Sequence, residues 1–168
     1  RLSALRHLFR FLLNERIRSD DPAAILSGPK RGRGLPKVLS ISDVDRLLVQ
    51  AKALTQAPEA SAPQRLRALR FYCLLEVLSA TGLRVSELVA LPLVSAERDP
   101  QMLMVRGKGD KERQIPLSDP ARVAIAKWLH IRAAALDDGE ASRYLFPSRG
   151  RTGHLTRQRF AQLLKEAA

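Results

Sequence analysis

The stretch from residue 66 to residue 78 is apolar on nearly every face of a helix, and it constrains the fold of the 168-residue chain more than any other feature. A helix without a polar stripe must be surrounded by other elements, so it is predicted to be the buried central helix of a globular domain. Gly82 suits the left-handed position that closes such a helix. Arg84 then opens a second helix, held on both sides by segments that pack into the core.

Two short apolar segments, residues 102–105 and 113–117, flank Gly-Lys-Gly-Asp-Lys at residues 107–111 and predict a β-hairpin. Helical spacing and capping residues predict further helices at residues 1–18, 20–26 and 41–53, a loop at 54–65, and a last helix that begins after Thr156. The predicted fold is therefore mainly α with a small antiparallel β-sheet (α+β).

The net charge of +12 predicts a polyanionic partner, and the charge is concentrated in three segments. Residues 1–37 hold nine Lys/Arg against three acids, residues 143–159 hold five arginines and no acid, and residues 106–113 hold four bases against two acids. Arginine outnumbers lysine by 22 to 7, which suits bidentate contact with phosphates, although genomic composition alone would also raise the arginine count. The DNA-binding candidates in and near these segments are Lys30, Arg31, Arg33, Lys111, Arg113, Arg149, Thr156, Arg157 and Gln158.

Several other classes of protein are disfavoured. The single cysteine, Cys73, cannot form an internal disulfide and is predicted to lie in the core. No metal site is expected, because His7, His130 and His154 lack the spacing of metal ligands. No apolar run approaches the roughly 20 residues of a membrane span, and no signal peptide is visible, so a cytoplasmic protein is expected. An RNA-binding protein is disfavoured because aromatic residues make up only 5% of the chain.

Arg84 and Lys108 are the catalytic candidates. A fixed guanidinium at Arg84 would hold the equatorial oxygens of a phosphodiester, and Lys108, with glycine on both sides, could swing to protonate a departing oxygen. Glu87 follows Arg84 by three residues on the same helical face. It would orient the guanidinium as a hydrogen-bond acceptor, or else form an ordinary surface ion pair of little consequence.

Four segments together resemble the tyrosine recombinase (phage integrase) family, most closely its bacterial Xer type. They are ATGLRVSEL at residues 80–88, GKGDKERQIPL at 107–117, YLFPS at 144–148 and LTRQRF at 155–160. The resemblance implies a truncated recombinase catalytic core preceded by a remnant of the helical core-binding domain. It places the end of the core-binding domain at residues 1–27, a basic interdomain linker at 28–38 and the N-terminal part of the catalytic domain at 39–168.

The resemblance also implies site-specific DNA recombination through a 3′-phosphotyrosyl intermediate, without metal or cofactor. Arg84 matches the first arginine of the family's pair, and Lys108 matches its hairpin lysine. The second arginine, in a His-x-x-Arg motif, and the nucleophilic tyrosine are expected beyond Ala168. Tyr72 and Tyr144 match packing positions instead, so these 168 residues alone are expected to be inactive in cleavage.

The implied partner is double-stranded DNA. The parent protein would be a tetramer on DNA, alone or with a partner recombinase, and nucleoid-associated, whereas the 168-residue piece would be monomeric. The competing interpretation is a non-catalytic DNA-binding module or regulatory remnant of an integrase, which would have no need of Lys108. The target site, the biological role and the purpose of the Ala/Pro-rich segment at residues 54–65 are left open.

Overall fold

The computed structural model describes residues 2–26, 39–107, 112–132 and 142–167. The chain divides into two compact units, residues 1–38 and residues 39–168. The first unit contains helix α1, Leu2–Asn14. The elements of the second unit are α2 (Ile41–Leu54), α3 (Ala62–Thr81), α4 (Val85–Val89), α5 (Val94–Glu97), β1 (Met102–Arg106), β2 (Glu112–Pro116), α6 (Asp119–Arg132) and α7 (Arg157–Ala167).

Helix α1 is shorter than predicted. It ends at Asn14 rather than near Arg18, because Arg16 adopts a left-handed backbone conformation with φ of 58°. The backbone N–H of Arg16 donates to Leu13 O at 3.1 Å and that of Ile17 donates to Leu12 O at 3.0 Å. This pair of bonds is a Schellman motif, which satisfies the last carbonyls of the helix and turns the chain away.

The helix predicted at residues 20–26 is wrong. The backbone there makes two separate turns, in which Ala24 N–H donates to Asp21 O at 3.1 Å and Leu26 N–H donates to Ala23 O at 3.3 Å. Asp21 accepts a hydrogen bond from Ala23 N–H at 3.0 Å through its side chain. The predicted helix cap therefore closes a local Asx-type turn, which competes with helix formation in so short a segment.

The start of α2 is confirmed. Ser40 Oγ accepts from Asp43 N–H at 3.2 Å, and Asp43 Oδ2 accepts from Ser40 N–H at 3.1 Å, so the two residues form a capping box. The hydrogen bond from the Ser40 hydroxyl is the main reason that the pKa of Asp43 is lowered. Arg46 donates to the same carboxylate.

Helix α3 is the predicted central helix, and its seven consecutive residues 71–77 are all buried. It begins at Ala62, within the segment predicted as a loop, because Ser61 N–H is capped by Gln64 Oε1 at 2.7 Å. Proline is tolerated in a first helical turn, so an Ala/Pro-rich segment can contain the start of a helix. Gly82 ends α3 with φ of 60° and donates its N–H to Leu78 O at 2.9 Å, as predicted.

The hairpin is confirmed to within one residue at each strand end. β1 and β2 are antiparallel, with Val105 opposite Arg113 and Arg106 opposite Glu112 next to the loop. Leu103 and Val105 on β1 are buried, whereas every second-strand residue except the half-buried Ile115 is exposed. One face of the hairpin therefore packs on the core.

The remaining core joins α6 to the segment before α7. Trp128 is fully buried, donates its Nε1–H to Leu145 O at 2.8 Å, and stacks on Phe146 with ring centroids 6.2 Å apart. Phe160 of α7 packs against Phe71 of α3 at 6.4 Å. Cys73 is buried as predicted, and this burial raises the pKa of its thiol.

The architecture of the described ranges is mainly α with one small two-stranded antiparallel sheet, as predicted. Among the helices in those ranges, none has both the length and the apolar character that crossing a membrane requires. The same residues contain no group of three or more His, Cys, Asp or Glu side chains arranged to hold a metal ion.

Candidate active site

Arg84, one of the two predicted catalytic residues, lies at the start of α4. It is the N-cap of α4, with extended backbone angles, and follows the buried Leu83 directly. Leu88, one turn further along α4, is fully buried. The backbone of Arg84 is therefore held by core contacts on both sides, while its side chain is 77% exposed and available to a ligand.

Glu87 binds both the backbone and the guanidinium of Arg84. Its Oε2 accepts from Arg84 N–H at 3.0 Å, and its Oε1 accepts from Arg84 Nη1 at 3.2 Å. Oε2 also accepts from Arg113 Nη2 at 3.2 Å, which brings strand β2 into the same cluster. Arg84, Glu87 and Arg113 are thus predicted site residues that the fold brings together.

The environment keeps Glu87 ionised. The hydrogen bond from the backbone N–H of Arg84 is the main cause that lowers its pKa, and the guanidinium groups of Arg84 and Arg113 lower it further. The Glu87 side chain is only 15% exposed. An isolated surface ion pair would leave both partners in solvent, whereas the Glu87 carboxylate is largely buried and has two arginine partners.

The hairpin that carries Lys108 is described only at its base. There Arg106 Nη2 lies 3.6 Å from Glu112 Oε1, across the last pair of residues before the loop. Lys108 and Lys111 lie outside the described residues, as do Lys30, Arg31 and Arg33 of the predicted linker. Their assignments stay predictions.

The start of α7 presents three of the predicted DNA-binding residues in one turn. Thr156 Oγ1 accepts from Arg159 N–H at 3.1 Å, so Thr156 is the predicted N-cap. Thr156, Arg157 and Gln158 are all exposed. Arg149 is also exposed, in the loop before α7. Helix α7 packs against α4, whose N-cap is Arg84, so these residues belong to the same unit as the arginine cluster.

The two tyrosines are both engaged in packing. Burial, followed by a hydrogen bond with Glu76, raises the pKa of Tyr72 to about 12. The Tyr144 hydroxyl accepts from Arg143 Nη2 at 3.0 Å, and its ring meets His154 edge-on with centroids 4.8 Å apart. Both side chains are therefore held by contacts within the fold.

The spacing His-x-x-Arg also occurs within the chain, at His154 and Arg157 and at His7 and Arg10, although the motif was expected beyond Ala168. The His154 imidazole packs on Tyr144, and its Nδ1 lies 2.8 Å from the carbonyl of the next residue. Its contacts are therefore with its own loop. The His-x-x-Arg spacing alone does not distinguish a histidine that packs within the fold from a catalytic one.

Arg70 is a half-buried cation that sequence reasoning missed. Its Nη1 donates to Pro147 O at 3.2 Å, which ties α3 to the segment before α7. Burial, and then the positive charges of Arg159 and Arg67, lower its pKa. The two residues of this bond are 77 positions apart, so no local pattern could have indicated it.

Comparison with known proteins defines the class to which this fold and site belong. Residues 47–168 match the sequence model of the phage integrase family, and the chain therefore belongs to that family. The resemblance found from the four sequence segments is confirmed.

The curated proteins to which the chain is similar include three tyrosine recombinases named XerD. The chain is 66% identical to that of Bradyrhizobium diazoefficiens, 50% identical to that of Brucella suis and 48% identical to that of Caulobacter vibrioides. All of the chain is covered in each comparison, against 54%, 54% and 52% of the respective relative. The chain thus spans about half the length of the curated relatives it matches.

Two solved structures have the same fold. A XerA recombinase superposes with a TM-score of 0.59 at 23% identity, over 99% of this chain and 52% of that one. A XerH site-specific recombinase bound to its difH substrate superposes with a TM-score of 0.63 at 20% identity, over 95% of this chain and 44% of that one. At these identities the likeness shows the fold alone.

Proposed function

We propose that these residues are part of a site-specific DNA recombinase that cleaves and rejoins strands through a 3′-phosphotyrosyl intermediate. The observation that carries the proposal is the exposed guanidinium of Arg84, held by Glu87 beside the base of the hairpin. The 66% identity to a relative named a tyrosine recombinase supports it.

Arg84 and Lys108 each have a definite task in this mechanism. A tyrosine hydroxyl releases its proton to solvent and its oxygen attacks the scissile phosphorus. The bond from phosphorus to the 5′ oxygen breaks, and Lys108 gives its proton to that oxygen. Arg84 neutralises the negative charge that develops on the equatorial oxygens. The 5′-hydroxyl of another strand then attacks the phosphotyrosyl bond and releases the tyrosine, so the bond energy is conserved.

The proposed domain arrangement assigns residues 1–27 to the end of a core-binding domain, 28–38 to a basic linker and 39–168 to the N-terminal part of the catalytic domain. The division of the chain into compact units after Val38 supports this arrangement. The parent protein would act in the cytoplasm, on nucleoid DNA, as a tetramer that forms alone or with a partner recombinase. The 168-residue chain by itself would be monomeric.

The proposed DNA contacts include the exposed first turn of α7. A helix start offers free backbone N–H groups, and Arg157 adds a guanidinium suited to phosphate. Arg149 would contact the backbone from the preceding loop, and Gln158 would be the residue nearest to a base edge. Lys30, Arg31, Arg33 and Lys111 would add phosphate contacts from the linker and the hairpin.

The 168-residue chain should bind duplex DNA with steep salt dependence. Each neutralised phosphate contributes about −0.9 to the slope of log K against log salt. The double variant Arg149→Ala/Arg157→Ala should therefore flatten the slope by about 1.8, as measured by fluorescence anisotropy between about 50 and 200 mM salt.

The matched control is Arg46→Ala, which removes an exposed arginine that pairs with Asp43 on α2 and lies outside the proposed interface. That variant should keep the slope of the wild type. Affinity that does not change over the salt range would contradict DNA binding through phosphates.

The full-length protein encoded by the gene should form covalent adducts with nicked DNA, whereas the 168-residue chain should form none. The probe is a library of nicked duplexes with randomised sequence on both sides of the nick. Adducts that resist denaturant are recovered, and sequencing of the attached strands identifies the preferred site. Full-length protein that binds the library but yields no adduct would instead indicate the non-catalytic DNA-binding module.

A further inference from the structure

We propose that Arg113 is a positioning residue, which acts through Glu87 to hold the Arg84 guanidinium in its working orientation. The inference rests on the proposed function, because it concerns the arginine that would neutralise the phosphate. It also changes the role of Arg113 from a direct DNA contact to an internal one.

The carboxylate of Glu87 uses both of its oxygens in this cluster. Oε1 receives one hydrogen bond, from the Arg84 guanidinium at 3.2 Å. Oε2 receives two, from the Arg84 backbone N–H at 3.0 Å and from Arg113 Nη2 at 3.2 Å. Hydrogen bonds that involve charged partners are shorter and stronger than neutral ones, so three of them restrict the orientation of the carboxylate.

Arg113 comes from a different element than the other two residues. It is the second residue of β2, and its backbone is paired with the buried Val105 of β1. Arg84 and Glu87 belong to the start of α4, and Glu87 precedes Arg113 by 26 positions in the sequence. The Arg113 bond is therefore a tertiary link, which joins the hairpin to the arginine helix.

The link joins the base of the hairpin to the start of α4. The hairpin loop that contains Lys108 begins after Arg106, whose cross-strand neighbour Glu112 precedes Arg113 directly. Without Arg113, Glu87 Oε2 would keep only the bond from the Arg84 backbone N–H, so the carboxylate that holds the Arg84 guanidinium would be less firmly oriented. A misplacement of about 1 Å in a reacting group can cost on the order of a hundredfold in rate, so the loss should appear in catalysis rather than in binding.

The alternative role for Arg113 is a direct contact with a DNA phosphate. Its side chain is 45% exposed, so a phosphate can reach it. A phosphate contact would contribute to affinity and to the salt slope. A positioning residue would affect the rate of the chemical step at saturating DNA and leave affinity nearly unchanged.

The experiment uses the full-length protein and a nicked duplex of the most enriched library sequence. Single-turnover rates of adduct formation are measured at saturating DNA for wild type, Arg113→Met, Glu87→Gln and the double variant. Arg113→Met keeps the aliphatic stem on the strand and removes the guanidinium. We expect its rate to fall by about ten- to a hundredfold, with the affinity for DNA within about twofold of wild type and an unchanged salt slope.

The double variant shows whether Arg113 acts through Glu87. If it does, the double variant should be no slower than Glu87→Gln alone, since the carboxylate on which Arg113 acts is already lost. Arg113→Lys should recover part of the rate, because a single ammonium can still reach Glu87 Oε2. Arg46→Ala is the control for removal of an exposed, ion-paired arginine and should keep the full rate.

The outcomes separate the inference from the function on which it rests. A wild type that forms no adduct would contradict the proposed recombinase activity itself. An active wild type with an Arg113→Met variant of equal rate but weaker binding and a slope flattened by about 0.9 would make Arg113 a phosphate contact. Rate losses that multiply in the double variant would also overturn the inference. If Arg113→Met unfolds below the assay temperature, Arg113→Lys is the variant that tests the inference. An Arg113→Lys protein with the full wild-type rate but weaker DNA binding would contradict a positioning role for Arg113.

Discussion

Replacing Arg84 with alanine is expected to lower the rate of covalent adduct formation by at least about a hundredfold while DNA retardation in gels stays nearly unchanged. Removal of one preorganised hydrogen-bond donor to a developing oxyanion typically costs about 10²–10³ in rate. Arg84 contributes a full positive charge as well as a donor, so the loss should lie at the upper end of this range or beyond it.

The effect on binding should be small for a structural reason. Arg84 contributes one exposed guanidinium, whereas the basic segments at residues 1–37 and 143–159 contain fourteen Lys and Arg residues. One contact among many changes affinity little, because the phosphate contribution is spread over all of them. The fold should also persist, since the Arg84 side chain is exposed and its backbone N–H keeps its bond to Glu87.

Arg84→Lys is the informative companion. A lysine keeps the charge but not the planar fork, so it should recover only a small part of the rate if bidentate geometry matters. Arg46→Ala removes an arginine in an ion pair of the same i,i+3 spacing and should leave adduct yield at the wild-type level. An Arg84→Ala variant that gives wild-type adduct yields would show that Arg84 has no part in the chemistry.

The features that could be predicted from the sequence are those with a local cause. Gly82 closes α3 because a single backbone conformation is required there, and Ser40 starts α2 through a partner three residues away. The burial of Trp128 follows from an apolar face that repeats within its own helix. In each case the determining residues lie within one or two helical turns, so the sequence pattern contains the whole explanation.

The features that were missed depend on partners distant in sequence or on competing local bonds. The bond from Arg113 to Glu87 could not be predicted, because it depends on where the hairpin packs relative to α4. Strand β2 is mostly exposed, and its sequence does not distinguish an arginine with an internal partner from one on a basic surface. The Arg70 bond to Pro147 has the same origin. The early end of α1 has a different cause, since Arg16 adopts a backbone conformation that glycine or asparagine usually adopts at helix ends.

The other large expected effect is on stability. Trp128→Ala should destabilise the second unit by about 3–5 kcal/mol, which is typical of removing a large buried aromatic side chain. The indole is fully buried, and its ring stacks on Phe146. The substitution also leaves Leu145 O without the donor that it has at 2.8 Å, and an unpaired buried carbonyl carries a further cost.

The measurement is urea unfolding of the 168-residue chain followed by circular dichroism. With a slope of about 2 kcal/mol per M urea, the midpoint should fall by roughly 2 M. Val123→Ala is the matched control on the same helix, because Val123 is 53% exposed and its truncation should change stability by less than about 0.5 kcal/mol.

Trp128→Phe separates the loss of stability caused by lost packing from the loss caused by the missing hydrogen bond. Phenylalanine keeps most of the ring contact with Phe146 but cannot donate to Leu145 O, so the carbonyl is left unpaired. Its expected cost, about 1–3 kcal/mol, lies between those of Val123→Ala and Trp128→Ala. A Trp128→Ala midpoint equal to that of the wild type would mean that α6 does not pack on the segment before α7. The contacts that join α3 to α7 and the segment before it would then be the hydrogen bond from Arg70 to Pro147 O and the ring contact between Phe71 and Phe160.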